Sequence, residues 1–256
     1  MRFSAVLLDL GQTLLDYGPA ARWPEFRVRR MIELYPLATR LWGVMCFSAE
    51  EFGEAVGAGV QTDQMREMEH GGLSVHFHER LRAALTGVGI AASDGALQRM
   101  TDAFIEPIRE WPKPFAETQS ALEQLSSHGV KLAIITNAPW DTPSEPLYSD
   151  LGRWGLRRFF SAFVGSGEVP WRKPDPEFMW AAAGELGVPP EHCLVVGDNL
   201  MADIAGAGAA GMKSVWINRD QGSAPEDGRW SDRVAKPRPD WVAASLTEVV
   251  RIVGAG

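Results

Sequence analysis

Side chains that can bind metal ions or phosphate follow four short apolar segments of the sequence, at or shortly after the end of each segment. In chain order, these side chains are Asp9, Thr136, Asn137, Lys173, Asp198 and Asp203. Each of them alone is typical of an ordinary turn, helix cap or solvated surface. Together they predict a site, because ligands of open parallel sheets gather at the carboxyl ends of the strands.

Clustered carboxylates beside a single lysine indicate metal-assisted phosphate chemistry. Asp9, Asp198 and Asp203 would repel one another unless a cation lay between them. Hard oxygen ligands with open positions suit Mg²⁺. Magnesium and Lys173 together would hold a dianionic phosphate against a carboxylate nucleophile, and Thr136 would donate a hydrogen bond to a phosphoryl oxygen.

Alternating strand-like and helical segments must position these side chains. Short apolar runs typical of buried parallel strands occur at 3–9, 131–136, 160–165, 193–197 and 213–217. Helical patterns between them occur at 115–128, 144–154, 176–186 and 200–210. This alternation predicts an α/β fold with a doubly wound, Rossmann-like parallel sheet. Asp175 and Gly187 are suited to cap the helix at 176–186, which places Lys173 in the loop before it.

The segment from 17 to 110 differs from the rest, because it has helical patterns and no convincing buried strand. Helices are expected at 24–41, 48–60, 74–87 and 93–110. We therefore expect a catalytic core made of residues 1–16 and 111–256, interrupted after its first strand by an inserted α-helical cap domain at 17–110.

The amino-acid composition restricts the kinds of molecule that this protein can bind. The net charge of −8 over 256 residues argues against nucleic acid, which needs a basic face. No apolar run reaches the ~18 residues that a membrane span requires, and the N-terminal run is too short for a signal peptide. Two distant cysteines, Cys46 and Cys193, form no disulfide framework. We expect a cytoplasmic monomer or homodimer that acts on a small anionic molecule.

Four segments carry a resemblance to a known family. They are DLGQTLLD at 9–16, TN at 136–137, RKPDPEFM at 172–179 and VVGDNLMADIAGAGAAGM at 195–212. The set resembles the four motifs of the haloacid dehalogenase superfamily, in the subfamily whose helical cap is inserted after the first strand. The third and fourth motifs together are highly specific, whereas the second is not.

The resemblance implies a Mg²⁺-dependent hydrolase, with phosphate-ester hydrolysis of a small metabolite as the leading reaction. Asp9 would be the nucleophile that becomes a phospho-aspartate, and Lys173 would neutralise it. Substrate binding would involve Thr136, Asn137 and Lys173. The metal site would comprise Asp9, the backbone carbonyl of Gly11, Asp198 and Asp203.

Gly11 departs from the family pattern, because phosphatases of this superfamily usually carry a second aspartate there as general acid and base. That catalysis is typically worth ~10²–10⁴-fold. One alternative is halide release from a haloacid, which needs no proton donor. Another is a pseudoenzyme that binds a phosphorylated ligand without turnover. A third possibility is a substitute acid among the histidines of the expected cap, which are His70, His76 and His78.

Overall fold

The centre of the fold is a parallel β-sheet. The computed structural model describes residues 3–18, 23–43, 46–60, 75–219 and 237–255. The six strands of this sheet are β1 (Ala5–Leu8), β4 (Lys131–Thr136), β5 (Ala162–Gly165), β6 (Cys193–Gly197), β7 (Lys213–Ile217) and β8 (Trp241–Ala243). Their order across the sheet is β5-β4-β1-β6-β7-β8, and all neighbours are parallel. The α/β fold with a Rossmann-like sheet is therefore confirmed.

The register of β1 explains why the predicted polar residues meet. Leu8 is paired with Ile134 of β4 on one side and with Val196 of β6 on the other. Since all three strands run in the same direction, the residues that follow them emerge at one edge of the sheet. The strands themselves are apolar on both faces, and buried side chains form a separate hydrophobic cluster on each face.

Helices cover both faces of the sheet. They are α5 (Thr118–Ser127), α6 (Glu145–Asp150), α7 (Pro176–Leu186), α8 (Ala205–Ala209) and α9 (Leu246–Gly254). Helix α7 has the predicted caps: the Asp175 side chain accepts a hydrogen bond from the Glu177 N–H at 2.9 Å, and Gly187 has a φ of +62°. The helix expected at 200–210 begins instead with a π-helical turn, Leu200–Ile204. Strand β8 and helix α9 were not expected from the sequence.

In the described part of the segment between the first strand and the rest of the sheet, there are four helices. They are α1 (Trp23–Trp42), α2 (Ala49–Gly59), α3 (Phe77–Gly87) and α4 (Asp94–Glu110). A two-stranded antiparallel ribbon flanks them, made of β2 (Leu15–Asp16) and β3 (Lys113–Pro114). We refer to residues 23–110 as the helical insert. In the described part of the chain, no helix has the length and hydropathy needed to cross a membrane.

Candidate active site

Lys173 is the centre of the site. Its ammonium donates to Asp9 Oδ1 at 2.5 Å, to Asp203 Oδ1 at 2.7 Å and to the Ile135 carbonyl at 3.1 Å. Asp9 directly follows β1, and its own N–H is anchored to the Val196 carbonyl of β6 at 2.9 Å. The structure thus joins the ends of β1, β4 and β6 through one buried ammonium group, which holds the carboxylate of Asp9 in place.

Burial and charge shift the pKa of each group at this edge of the sheet. Burial opposes the charged form of Lys173, but the carboxylates of Asp203 and Asp9 outweigh it and raise the pKa of the ammonium. Burial raises the pKa of Asp9 to about 6, against the lowering effect of Lys173. Burial, followed by the charges of Asp9 and Asp203, raises the pKa of Asp198 to about 8. Lys173 is therefore charged, whereas the carboxylates resist joint ionisation.

The three carboxylates form a cluster suited to a divalent cation. Asp9, Asp198 and Asp203 each offer an oxygen, and these oxygens lie within 4.8 Å of one another. In the described part of the chain, Lys173 is the lysine or arginine that pairs with this cluster. One ammonium cannot balance three carboxylates, and after burial, which is the largest cause, the charges of Asp9 and Asp203 raise the pKa of Asp198 further. The all-oxygen donor set fits Mg²⁺, which prefers hard ligands.

Asp203 is held by groups of the protein on both of its oxygens. Oδ1 accepts from Lys173, and Oδ2 accepts from the Asn199 N–H at 3.0 Å. A Cβ atom at residue 197 would lie 2.2 Å from the Asp203 carboxyl carbon, so only glycine fits at the end of β6. These contacts make Asp203 an anchor for Lys173. Its place among the metal ligands stays a prediction.

The predicted substrate-binding residues Thr136 and Asn137 lie beside Lys173 in the structure. Thr136 ends β4 and is buried. The Asn137 side chain pairs with the backbone of Lys173: its Nδ2 donates to the carbonyl, and its Oδ1 accepts from the N–H, both at 2.9 Å. Asn137 therefore fixes the segment that carries Lys173. Direct contact of Thr136 or Asn137 with a substrate stays a prediction.

The ring of Tyr17 lies beside Gly11. A Cβ atom at residue 11 would lie 3.6 Å from the Cδ2 and Cε2 atoms of that ring, an ordinary van der Waals contact. Gly11 does not have a positive φ, so its backbone accepts a side chain. Burial, followed by the charges of Asp9 and Asp150, raises the pKa of Tyr17, which keeps the phenol neutral.

A comparison of the sequence with known protein families identifies the family of this chain. Residues 3–211 match the family described as haloacid dehalogenase-like hydrolase. The chain belongs to this family. Membership supports an enzyme over the ligand-binding pseudoenzyme.

This hydrolase is similar to named phosphatases and to a named dehalogenase. It is 35% identical over 174 residues to a phosphoserine phosphatase of Thermus thermophilus, covering 68% of this chain and 64% of the relative. It is 35% identical over 138 residues to a phosphoglycolate phosphatase of Neisseria meningitidis, covering 54% of each chain. The match thus spans less than two thirds of these curated relatives. The crystal structure of 2-haloacid dehalogenase from Pseudomonas syringae superimposes with a TM-score of 0.63, at 27% identity over 99% of both chains.

Arg219 clamps the loop that follows Asp9 in this hydrolase. Its guanidinium donates to the carbonyls of Thr13 at 2.8 Å and Gln12 at 3.2 Å, and it pairs with Glu117 at 2.7 Å. The same group lies over the ring of Phe115, 3.5 Å from the centroid. Gln12 needs such support, because its φ of +56° is unfavourable for a residue with a side chain. Arg219 was not predicted from the sequence, since it is one arginine among twenty with no local motif.

Two of the three histidines proposed as substitute acids, His76 and His78, lie in the described part of the chain. His70 lies outside the described residues. Burial lowers the pKa of His78, and the charged groups that act on it, led by Asp102 and Arg82, belong to the helical insert. His76 is the residue that precedes α3. The charged groups that shift the pKa of His78 thus do not include Asp9, and a role of His76 or His78 as an acid stays a prediction.

Proposed function

We propose that this hydrolase is a Mg²⁺-dependent phosphatase that acts on a small phosphorylated metabolite through Asp9. One observation carries the proposal: a buried lysine binds Asp9 and Asp203, within a cluster that Asp198 completes. This arrangement provides a carboxylate nucleophile, a positive charge beside it and a place for a cation. The phosphoserine and phosphoglycolate phosphatases among its relatives support the same substrate class.

Each side chain has a separate task in the proposed reaction. Lys173 binds Oδ1 of Asp9, so we assign the attack on phosphorus to Oδ2. The P–O bond to the leaving group breaks as the aspartyl phosphate forms. Water then attacks the phosphorus and releases phosphate, which regenerates Asp9. Lys173 and the Thr136 hydroxyl would hold phosphoryl oxygens throughout.

The residues present would also hold the cation. Asp9, Asp198 and the Gly11 carbonyl would be its ligands, with Asp203 behind Lys173. When bound, Mg²⁺ would neutralise the charge that otherwise makes the carboxylates repel a phosphate dianion. Without an acid at residue 11, the leaving oxygen must carry its own negative charge. Acyl phosphates and phosphates of acidic phenols would therefore react fastest.

The helical insert would act as a cap over this site, as its position in the chain suggests. Two ion pairs tie it to the residues around the sheet: Arg80 with Asp141 at 2.9 Å, and Arg109 with Asp150 at 2.6 Å. Closure by such an element excludes water and strengthens the electrostatic interactions of the site.

Halide release from a 2-haloacid is the second candidate, and two observations favour it. Gly11 provides no proton, which a departing halide does not need. The P. syringae dehalogenase is also similar over nearly the whole chain. Against it, hydrolysis of a carbon–halogen bond needs no metal, yet Asp198 completes a cluster of cation-binding type.

A single assay separates the two reactions. The purified protein is incubated with p-nitrophenyl phosphate, acetyl phosphate and 2-chloropropionate, each with Mg²⁺ and with EDTA. We expect phosphate release that requires Mg²⁺, fastest from acetyl phosphate, and no chloride release. Chloride release that persists in EDTA would replace the phosphatase proposal by the dehalogenase. Phosphate release undiminished in EDTA would refute the metal requirement.

A further inference from the structure

A buried group of charged side chains includes Arg172, which together with Lys173 forms what we call the Lys173 segment. Two arginines share one carboxylate oxygen: Arg80 and Arg172 each bind Asp141 Oδ2 at 2.9 Å. The hydroxyl of Ser166 donates to the other oxygen at 2.5 Å. The Asp141 side chain is fully buried, and the two arginine side chains are 7% and 4% exposed. Ionised groups so far from water are held only by their partners, so their positions depend on one another.

The members of this group come from different parts of the chain. Arg80 lies on α3 of the helical insert, whereas Asp141 follows β4 and Ser166 follows β5. Arg172 directly precedes Lys173 in the sequence. The helical insert is thus linked by one carboxylate to the residue next to the central lysine of the site.

A single loop carries both connections to the Lys173 segment. At its start, Asn137 holds the backbone of Lys173 by two hydrogen bonds. Near its end, Asp141 holds the side chain of Arg172. Between them, Trp140 packs against Phe26 of the insert with nearly parallel rings, 5.5 Å between centroids. A displacement of this loop would therefore move the backbone on which Lys173 depends.

The loop adopts a backbone conformation that requires outside support. Trp140 and Asp141 both have a φ of +52°, in the left-handed region that residues other than glycine rarely occupy. Such conformations persist where the surroundings hold them. Here the surroundings include Arg80 and Phe26, both of which belong to the helical insert.

We propose that Arg80 is a positioning residue. Through Asp141 and Arg172, it couples the docking of the helical insert against the sheet to the position of the Lys173 ammonium. With Arg80 in place, Asp141 is fixed, Arg172 is fixed by Asp141, and Lys173 is aligned on Asp9. The reaction then proceeds only when the insert is docked against the sheet. Only the kinetic part of the test rests on the proposed phosphatase function.

Nuclear magnetic resonance of the lysine side chains tests the coupling without any substrate. The sequence has five lysines, at 113, 131, 173, 213 and 236, so the ammonium signals are few. The buried Lys173 signal is assigned by its loss in Lys173→Arg. We expect Arg80→Met to shift or broaden this signal. The matched control is Arg82→Met on the same helix, whose exposed side chain pairs with Asp94 within the insert and should leave the signal unchanged.

Kinetics provide the second measurement, with the substrate that the wild-type protein hydrolyses. A displacement of about 1 Å at the reacting groups can cost ~10²-fold in rate, so we expect Arg80→Met to lower kcat by ~10–100-fold. KM should change less than about threefold, and Arg82→Met should leave both constants unchanged. Because Arg80 and Arg172 act through one carboxylate, the double variant Arg80→Met/Arg172→Met should be no slower than its slower single variant.

Several results would overturn the coupling. An unchanged Lys173 signal in a folded Arg80→Met protein would do so, whatever substrate the enzyme proves to use. A raised KM with normal kcat would make Arg80 a substrate-binding residue instead. Additive losses in the double variant would show that the arginines act separately. If Arg80→Met does not fold, Arg80→Gln replaces it, because glutamine cannot form the ion pair with Asp141. The same signal should shift, and no shift would refute the proposal.

Discussion

The Gly11→Asp variant places a carboxyl group two residues after Asp9, where the phosphatases that the sequence resembles usually carry one. The structure has room for this change. The backbone of Gly11 is not in the left-handed region, and the new Cβ would contact the Tyr17 ring at 3.6 Å. A carboxyl group there would stand close to Asp9, where a leaving oxygen would depart. The variant therefore tests the chemistry of residue 11 with little strain.

The expected gain depends on the leaving group. A positioned acid contributes ~10²–10⁴-fold, or ~2.7–5.4 kcal/mol of transition-state stabilisation. Alkyl phosphates, whose alkoxide leaving groups are strongly basic, should gain up to that amount in Gly11→Asp. p-Nitrophenyl phosphate, whose phenolate leaves without a proton, should change little. The ratio of kcat/KM for glycerol phosphate to that for p-nitrophenyl phosphate should rise by the same factor.

Gly11→Asn is the matched control, because asparagine has nearly the same shape but cannot transfer a proton. It should leave the ratio as in the wild type, and circular dichroism melts of both variants report on folding. An equal rescue by asparagine would show that shape, not acidity, matters at residue 11. If the wild-type protein already hydrolyses both esters at similar rates, an acid is supplied from elsewhere. His76 and His78 would then be replaced one at a time.

Three further predictions concern the residues around Asp9. Asp9→Asn should abolish turnover and leave the melting curve intact; a near-native rate would exclude covalent catalysis at Asp9. Because the pKa values of Asp9 and Asp198 are raised to about 6 and about 8, the metal-free folded protein retains protons that the unfolded chain releases. Its free energy of unfolding in EDTA should therefore fall as the pH rises from 4 to 8, and it should fall less steeply in Asp198→Asn. Addition of Mg²⁺ should restore the stability at pH 8. Thermal melts measure each of these changes. Arg219→Met should cost ~2 kcal/mol of stability and lower kcat, whereas Arg158→Met, which breaks an exposed pair, should do neither.

Local patterns predicted most of the sheet and its helices. Apolar runs marked β1, β4, β5, β6 and β7 because these strands are buried on both faces, so that consecutive residues, and not only alternate ones, are apolar. Helix α7 was predicted with both caps, since an N-cap aspartate and a C-terminal glycine act on the nearest turns alone. β8 was missed because it is three residues long with an exposed valine at its centre, which leaves no apolar run.

Long-range partners could not be predicted, because nothing in their own neighbourhood marks them. Arg219 meets Thr13 across 206 positions of sequence, and Arg80 meets Asp141 across 61. Tyr17 lies beside Gly11 only because the chain turns back after it, which no motif records. The motif around Asp9 was visible because its chemistry and its spacing are both local. The groups that hold the motif in shape depend on the complete fold.

The hydrogen bonds that hold the site in place act on Asp9, on Lys173 and on the backbone of Gln12 and Thr13. Residue 11 contributes no side chain to them. Arg219 holds the carbonyls of Gln12 and Thr13, and the β6 backbone holds the N–H of Asp9. Gly11 is the point in this loop where a side chain can be added without displacing a backbone contact. A change of residue 11 can therefore alter which leaving groups are accepted while Asp9 and Lys173 keep their geometry. This separation gives a physical reason why one scaffold can serve both the phosphatases and the dehalogenases to which this chain is similar.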